Sequence, residues 1–106
     1  MAPLLLLAAI SAALEPSAAI TGNCNPTRVH FTGRITVDAP VKVTYTWVRT
    51  NYPAGRTVSI DFNQAGSAPV GYDLLLRKNE EGSVMLRVVF PQQVESAKVK
   101  YKVSCK

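Results

Sequence analysis

Residues 41–49 read VKVTYTWVR, and this stretch decides the fold. Apolar side chains stand at every second position from Val41 to Trp47, and a Lys or Thr occupies each position between them. An apolar position at every second residue predicts a β-strand with one buried face and one wet face. A Trp on the buried face of a central strand is typical of immunoglobulin-like sandwiches. The stretch therefore predicts an all-β fold with Trp47 in the middle of its core.

The same alternation recurs on both sides of this stretch, in runs near residues 29–37, 58–62, 72–76, 86–90 and 99–105. Turn-forming residues separate the runs at 38–40, 51–55, 63–66, 79–82 and 91–93. Strand-length runs without helical stretches between them predict an immunoglobulin-like antiparallel β-sandwich of about seven strands. Gly33 interrupts the first run, and a glycine inside a strand predicts a bulge or a bend.

The chain opens with an apolar run from Pro3 to Leu14, followed by small residues at 17–19. The run is shorter than the roughly 20 residues that span a bilayer, and it resembles the apolar region of a secretory signal. We therefore predict a signal peptide-like leader over 1–19, cleaved near Ala19, and one mature domain over 20–106. The domain would be secreted, periplasmic or at the cell surface, without a transmembrane span. No Lys or Arg precedes the run, so an apolar N-terminal helix of the mature fold is the alternative.

Two cysteines, Cys24 and Cys105, lie near the two ends of the predicted domain. Their wide separation differs from the short CxxC spacing of redox and zinc motifs. Disulfides persist in the oxidising compartments to which a leader directs a protein. We expect the two cysteines to form a bridge between the first and last strands of the domain; the alternative is two free buried thiols.

Four stretches together resemble a known group of proteins. They read FTGRIT at 31–36, VTYTWVR at 43–49 and MLRVVFP at 85–91, with a last strand over 97–105 that closes on a cysteine. The chain is similar here to small exported bacterial immunoglobulin-like domains with a terminal Cys pair. Tyr72 stands nearest to a Trp that is common in the fifth strand of those relatives. The resemblance covers most of 20–106 and implies the fold and export, but no chemical activity.

The formal net charge is +5, and its clearest pattern is Lys98, Lys100 and Lys102, here named the lysine stripe. Side chains two residues apart on a strand project from one face, so the stripe predicts an electrostatic patch for an anionic polymer or surface. Arg87 would extend the patch if its strand lies beside the last one. The alternative is edge protection, because lysines along an outer strand block edge-to-edge aggregation.

The segment 51–56, NYPAGR, follows the Trp strand and combines Tyr52 with Arg56. Loops with an aromatic anchor and polar neighbours often recognise partners, so we expect a recognition tip here. The alternative is an ordinary turn with Tyr52 folded back on the domain.

The remaining reactive residues predict no catalytic or metal site and no cofactor. His30 is the single histidine, and the acidic residues are scattered over turns and outward positions. No phosphate-binding loop, RNA-binding motif or zinc spacing occurs, so no nucleic acid partner is expected. We predict a non-enzymatic exported binding or structural module whose partner is a protein or an anionic cell-surface polymer. Two alternatives are a carbohydrate- or polyanion-binding module that uses the basic strand face, and a small periplasmic enzyme or enzyme inhibitor.

Overall fold

The computed structural model describes residues 9–15 and 20–105. These residues form nine β-strands and no helix. The strands are β1 (Ile10–Leu14), β2 (Ile20–Gly22), β3 (Thr27–Val37), β4 (Val41–Arg49), β5 (Val58–Phe62), β6 (Gly66–Leu76), β7 (Glu80–Phe90), β8 (Val94–Glu95) and β9 (Val99–Cys105). Within the two described ranges, no helix is long and apolar enough to cross a membrane.

The strands form two sheets, which confirms the predicted immunoglobulin-like sandwich. One sheet has the order β1-β3-β6, and the other has the order β2-β9-β7-β4-β5, with β8 paired to β7. All pairs are antiparallel except β2 with β9, which is parallel. The period-two alternation follows from this arrangement, because each sheet turns one face to the shared core and the other to water.

Aromatic side chains from both sheets meet in the core. Trp47 on β4 is only 7% exposed, as predicted. Its ring stacks on that of Tyr72 from β6, with centroids 5.3 Å apart and an angle of 15° between the planes. Phe31 on β3 lies 5.8 Å from Tyr101 of β9 in an edge-on arrangement. Since these strands belong to different sheets, both ring pairs join the two layers.

Cys24 and Cys105 form the predicted disulfide, with their Cα atoms 5.4 Å apart. Cys24 lies in the segment between β2 and β3, and Cys105 ends β9, so the bridge ties the connection between the two sheets to the last strand. Its cysteines are 81 residues apart in sequence. Closing a loop of that length removes unfolded-state freedom worth about 4.5 kcal/mol on the chain-entropy relation.

Two local predictions are wrong. The bulge predicted at Gly33 is absent: the register of β3 is continuous there and pairs Gly33 with Leu14 and Val70, while the register shifts between Thr44 and Tyr45 of β4. The predicted turn over 79–82 is wrong because Glu80 already begins β7. Gly82 serves close packing instead, since a Cβ atom there would lie 2.8 Å from the hydroxyl oxygen of Tyr101.

The predicted leader falls partly inside the described residues. Ile10–Leu14 form β1, an edge strand of the smaller sheet, and not the helix considered as the alternative. Residues 1–8 and 16–19 lie outside the described part of the chain, and so does the predicted cleavage point at Ala19. Cleavage there stays a prediction.

Candidate binding groove

The lysine stripe has Lys100 and Lys102 on the outer face of the larger sheet, whereas Lys98 precedes β9 and is not on the predicted strand. Its three side chains are exposed, and β9 pairs Lys100 with Ser83 and Lys102 with Glu81 of β7. Arg87 is on the same face of this neighbouring strand, as expected, but its Nε donates to the Glu95 carboxylate at 2.7 Å. The stripe thus presents its charges to solvent, while the charge of Arg87 is largely neutralised by its partner.

Within the described ranges, β2 is the strand on the outer side of β9, and it covers only part of that edge. β2 pairs with Val103–Cys105 and does not reach the stripe. Among residues 9–15 and 20–105, no other strand pairs with β9 on that side. Recognition by the lysine stripe and edge protection both stay predictions.

The loop that carries Tyr52 is tied back to β4 by its own backbone. The Gly55 amide donates to the Trp47 carbonyl oxygen at 3.1 Å, and the Thr46 hydroxyl donates to the Gly55 carbonyl oxygen at 2.8 Å. Asn51 adopts a φ of 65°, a left-handed conformation that Asn tolerates better than most residues. These contacts make the loop a fixed projection of the sheet rather than a free tip.

Tyr52 itself is half exposed, and its ring rests on Arg49. The guanidinium carbon lies 3.8 Å from the ring centroid, which is cation–π geometry. The side chain is 50% exposed, so one ring face is engaged and solvent can still reach much of the residue. This placement combines features of the two predicted alternatives, since Tyr52 is neither a free anchor nor fully folded away.

Arg49, Glu80 and Tyr101 form a polar cluster beneath this loop, here named the Arg49 brace. Arg49 forms an ion pair with Glu80, and its Nε donates to the Tyr101 hydroxyl oxygen at 3.2 Å. The Tyr101 hydroxyl donates in turn to Glu80 Oε2 at 2.5 Å. Every member thus contacts the other two, so the cluster satisfies its own charges.

The pKa values within the Arg49 brace reflect this mutual bonding. Burial would raise the pKa of Glu80, but hydrogen bonds from Tyr101 and Arg49 outweigh it and leave that pKa below its ordinary value. Burial, together with the hydrogen bond to Glu80, raises the pKa of Tyr101. At neutral pH the brace is therefore a charged pair with a protonated phenol, and it fixes the base of the Tyr52 loop.

The Arg49 brace was not predicted, although the sequence contains a signal for it. Arg49 shares the core-facing parity of Val43, Tyr45 and Trp47, and a charged residue at such a position needs a partner.

A shallow depression of about 270 Å³ brings the loop and the lysine stripe together. Its lining includes Tyr52, Lys98, Val48 and Met85, with Ser83 on its floor. A second depression of about 380 Å³ shares Ser83 and Thr50 with the first and adds Lys100, Glu81, Gly82 and Tyr101. The two form one continuous surface, here named the basic groove. The hydroxyls of Thr50 and Ser83 lie 2.5 Å apart at the junction.

Of the six predicted binding residues, the structure brings Tyr52, Lys98 and Lys100 into the basic groove. Lys102 lines a further depression with Glu80, Glu81 and Ser104, which shares Glu81 with the second depression of the groove. Arg87 is held by Glu95, and Arg56 lies farther along the loop, where its carbonyl oxygen accepts from Thr46 at 3.3 Å.

His30 lies away from the groove, on the outer face of the smaller sheet. Its Nδ1 is 2.5 Å from Asp73 Oδ1 on the adjacent strand, and both side chains are about half exposed. The described ranges contain no group of three or more His, Cys, Asp or Glu residues that could hold a metal ion. The pair is an exposed cross-strand contact.

No protein-family model and no curated protein matches this chain. Solved structures do match it. The solution NMR structure of a CARDB domain from Pyrococcus furiosus superimposes with a TM-score of 0.70 at 4% identity, covering 92% of this chain and 95% of that one. A β-glucosidase from Listeria innocua, solved in complex with glucose, matches with a TM-score of 0.64 at 7% identity. A β-glucosidase from Erythrobacter marinus matches with a TM-score of 0.57 at 9% identity.

The matches differ in how much of each neighbour they cover. This chain covers almost all of the CARDB domain but only 16% and 15% of the two glucosidase chains. At such low identity the likeness shows the fold alone. The chain is thus an immunoglobulin-like β-sandwich of the size of one domain, whereas each glucosidase extends far beyond the matched part.

Proposed function

We propose that this chain is a non-enzymatic module of an exported protein, and that it acts by binding a partner at the basic groove. The observation that carries the proposal is the juxtaposition of Tyr52, fixed on Arg49, with Lys98 in one depression. The disulfide supports export, because such bridges persist in oxidising compartments. The likeness to a CARDB domain, almost all of which this chain covers, supports a domain-sized binding or structural module.

For the ligand class, we propose an acidic polysaccharide. No salt bridge in the described part of the chain engages the lysine stripe, so Lys98 and Lys100 are available to an incoming anion. The ring of Tyr52 offers an apolar face to a sugar, and the Ser83 hydroxyl, which bonds to Thr50, lies in the same lining. A shallow open groove suits an extended chain better than a small molecule, which binding sites usually enclose.

A titration with dextran sulfate and neutral dextran at two salt concentrations tests this proposal. Dextran sulfate should bind, and its affinity should fall as salt rises, because salt screens the attraction between exposed charges. Neutral dextran should not bind. Replacing the lysine stripe with Gln should weaken binding strongly. The matched control replaces three exposed arginines outside the groove with Gln: Arg28, Arg34 and Arg77.

The outcomes test the binding site and the ligand class separately. Equal weakening by the stripe and control variants would mean attraction by net charge and would refute the groove. Absence of binding to either polymer would refute the polysaccharide proposal and leave a protein partner for the module.

A further inference from the structure

The strand β1 is paired along its whole length. It matches β3 residue by residue from Ile10 with Val37 to Leu14 with Gly33. Hydrogen bonds continue beyond both ends: the Glu15 amide donates to the Thr32 carbonyl oxygen at 3.0 Å, and the Asp38 amide donates to the Ala9 carbonyl oxygen at 3.2 Å. The Ala9 amide also donates to Asp38 Oδ1 at 2.6 Å. The pairing therefore covers the described segment from Ala9 to Glu15.

The side chains of β1 alternate as a fitted edge strand requires. Ile10, Ala12 and Leu14 are half-buried against the core, while Ser11 and Ala13 are exposed. The apolar region of a secretory signal needs hydrophobicity but no such alternation.

The absence of a side chain at Gly33 leaves room for residues of β1. This glycine is buried on β3, between the core residues Phe31 and Ile35. A Cβ atom at this position would lie 2.8 Å from Cδ2 of Leu14 and 3.0 Å from the Ala13 carbonyl oxygen. Real Cβ contacts are almost never so short, so Leu14 and Gly33 are complementary in size. A Cβ atom there would also lie 3.1 Å from Cγ2 of Val70 on β6, so the strands on both sides of β3 pack closely at this glycine.

We propose that residues 10–14 are a permanent strand of the mature domain, and that the edge of β3 around Gly33 is the binding site for this strand. Any leader would then be removed before Ile10 and not near Ala19. Loss of β1 would expose the edge of β3, and an open edge is a site at which a strand of a second copy can add.

Substitutions in the full chain test the fit. Leu14→Ala removes the side chain that packs over Gly33, and Gly33→Ala places a methyl group in the space that this side chain occupies. We expect each to raise the unfolding equilibrium constant by about tenfold or more, as for loss of packing at a partly buried site. Gly66→Ala is the matched control, because no atom lies within 4 Å of a Cβ there. If Gly33→Ala does not fold, Leu14→Ala still gives the comparison; Leu14→Ala and Gly33→Ala variants as stable as the control would overturn the proposal.

Amide hydrogen exchange on chain recovered outside the cytoplasm gives an independent test. Because the ladder alternates and Thr32 bonds to β1, the amides of Arg34 and Thr36 face β1, while those of Gly33 and Ile35 face β6. All four should exchange slowly, and the intact mass should place the first residue before Ile10. A folded chain that begins at Ile20, or one in which only Arg34 and Thr36 exchange at open-chain rates, would show that β1 is not part of the mature domain.

Discussion

The contribution of the Arg49 brace to stability can be tested with Glu80→Gln, because this substitution keeps the shape of the side chain and removes its charge. Arg49 and Glu80 have only 16% and 17% of their side chains exposed, so the remaining Arg49 would stay mostly buried without a counter-charge. Hydrogen bonds to charged groups contribute about 1.5–3 kcal/mol each, and breaking a buried pair costs more than its net contribution. We expect Glu80→Gln to lower the free energy of unfolding by about 2–3 kcal/mol at pH 7.

The pH dependence of this loss provides an internal check. The pKa of Glu80 is lowered in the folded state, so its stabilising contribution is complete above the ordinary value of 4.5 and is lost as the pH falls through the lower folded-state pKa. Urea melts from pH 7 downward should therefore show the parent chain and the variant converging in acid. Glu95→Gln is the control, since the Arg87–Glu95 pair is more exposed and should contribute less than about 1 kcal/mol. A gap between parent and Glu80→Gln that stays constant into acid would refute the reasoning.

Three further predictions concern the core, the disulfide and the lysine stripe. Trp47→Ala should cost about 3–5 kcal/mol in denaturant melts, and a loss below about 1 kcal/mol would contradict its placement in the core. Replacing Cys24 and Cys105 with Ala should lower the free energy of unfolding by about 4.5 kcal/mol, and non-reducing mass spectrometry should find no free thiol in the parent chain. Replacing the stripe with Gln should weaken dextran sulfate binding and flatten its salt dependence while changing stability by less than about 0.5 kcal/mol. Unchanged binding with new aggregation would instead identify the lysines as edge protection.

The sequence predicted the sandwich because its long strands each have one wet face. The alternation around Trp47 is confirmed, as are the other main runs. The shorter strands were missed for a physical reason: β2 has 3 residues and β8 has 2, too few to show a period. β1 was hidden by composition, since the run from Pro3 to Leu14 is apolar at nearly every position.

Only part of the candidate groove could be predicted from the sequence. The alternation of residues along a single strand was enough to predict that the lysines of the stripe project from one face. The approach of Tyr52 to Lys98 depends on the pairing of three strands and on backbone contacts of the loop at Gly55, which no local pattern contains. The need of Arg49 for a partner could have been predicted from the sequence, because a charged residue at a core-facing position requires one.

The position of the disulfide has a mechanical consequence. A pull applied to the two ends of the oxidised chain passes directly from Cys24 to Cys105 through the covalent bridge, so β3 to β9 between them bear little of the load. Reduction would place that intervening sequence, with its 81-residue separation, under tension. At full extension it would add a contour length of about 280 Å. A single-molecule force trace of this domain should therefore change from a short extension, in which only β1 and β2 before Cys24 are released, to a long unfolding step when the bridge is reduced.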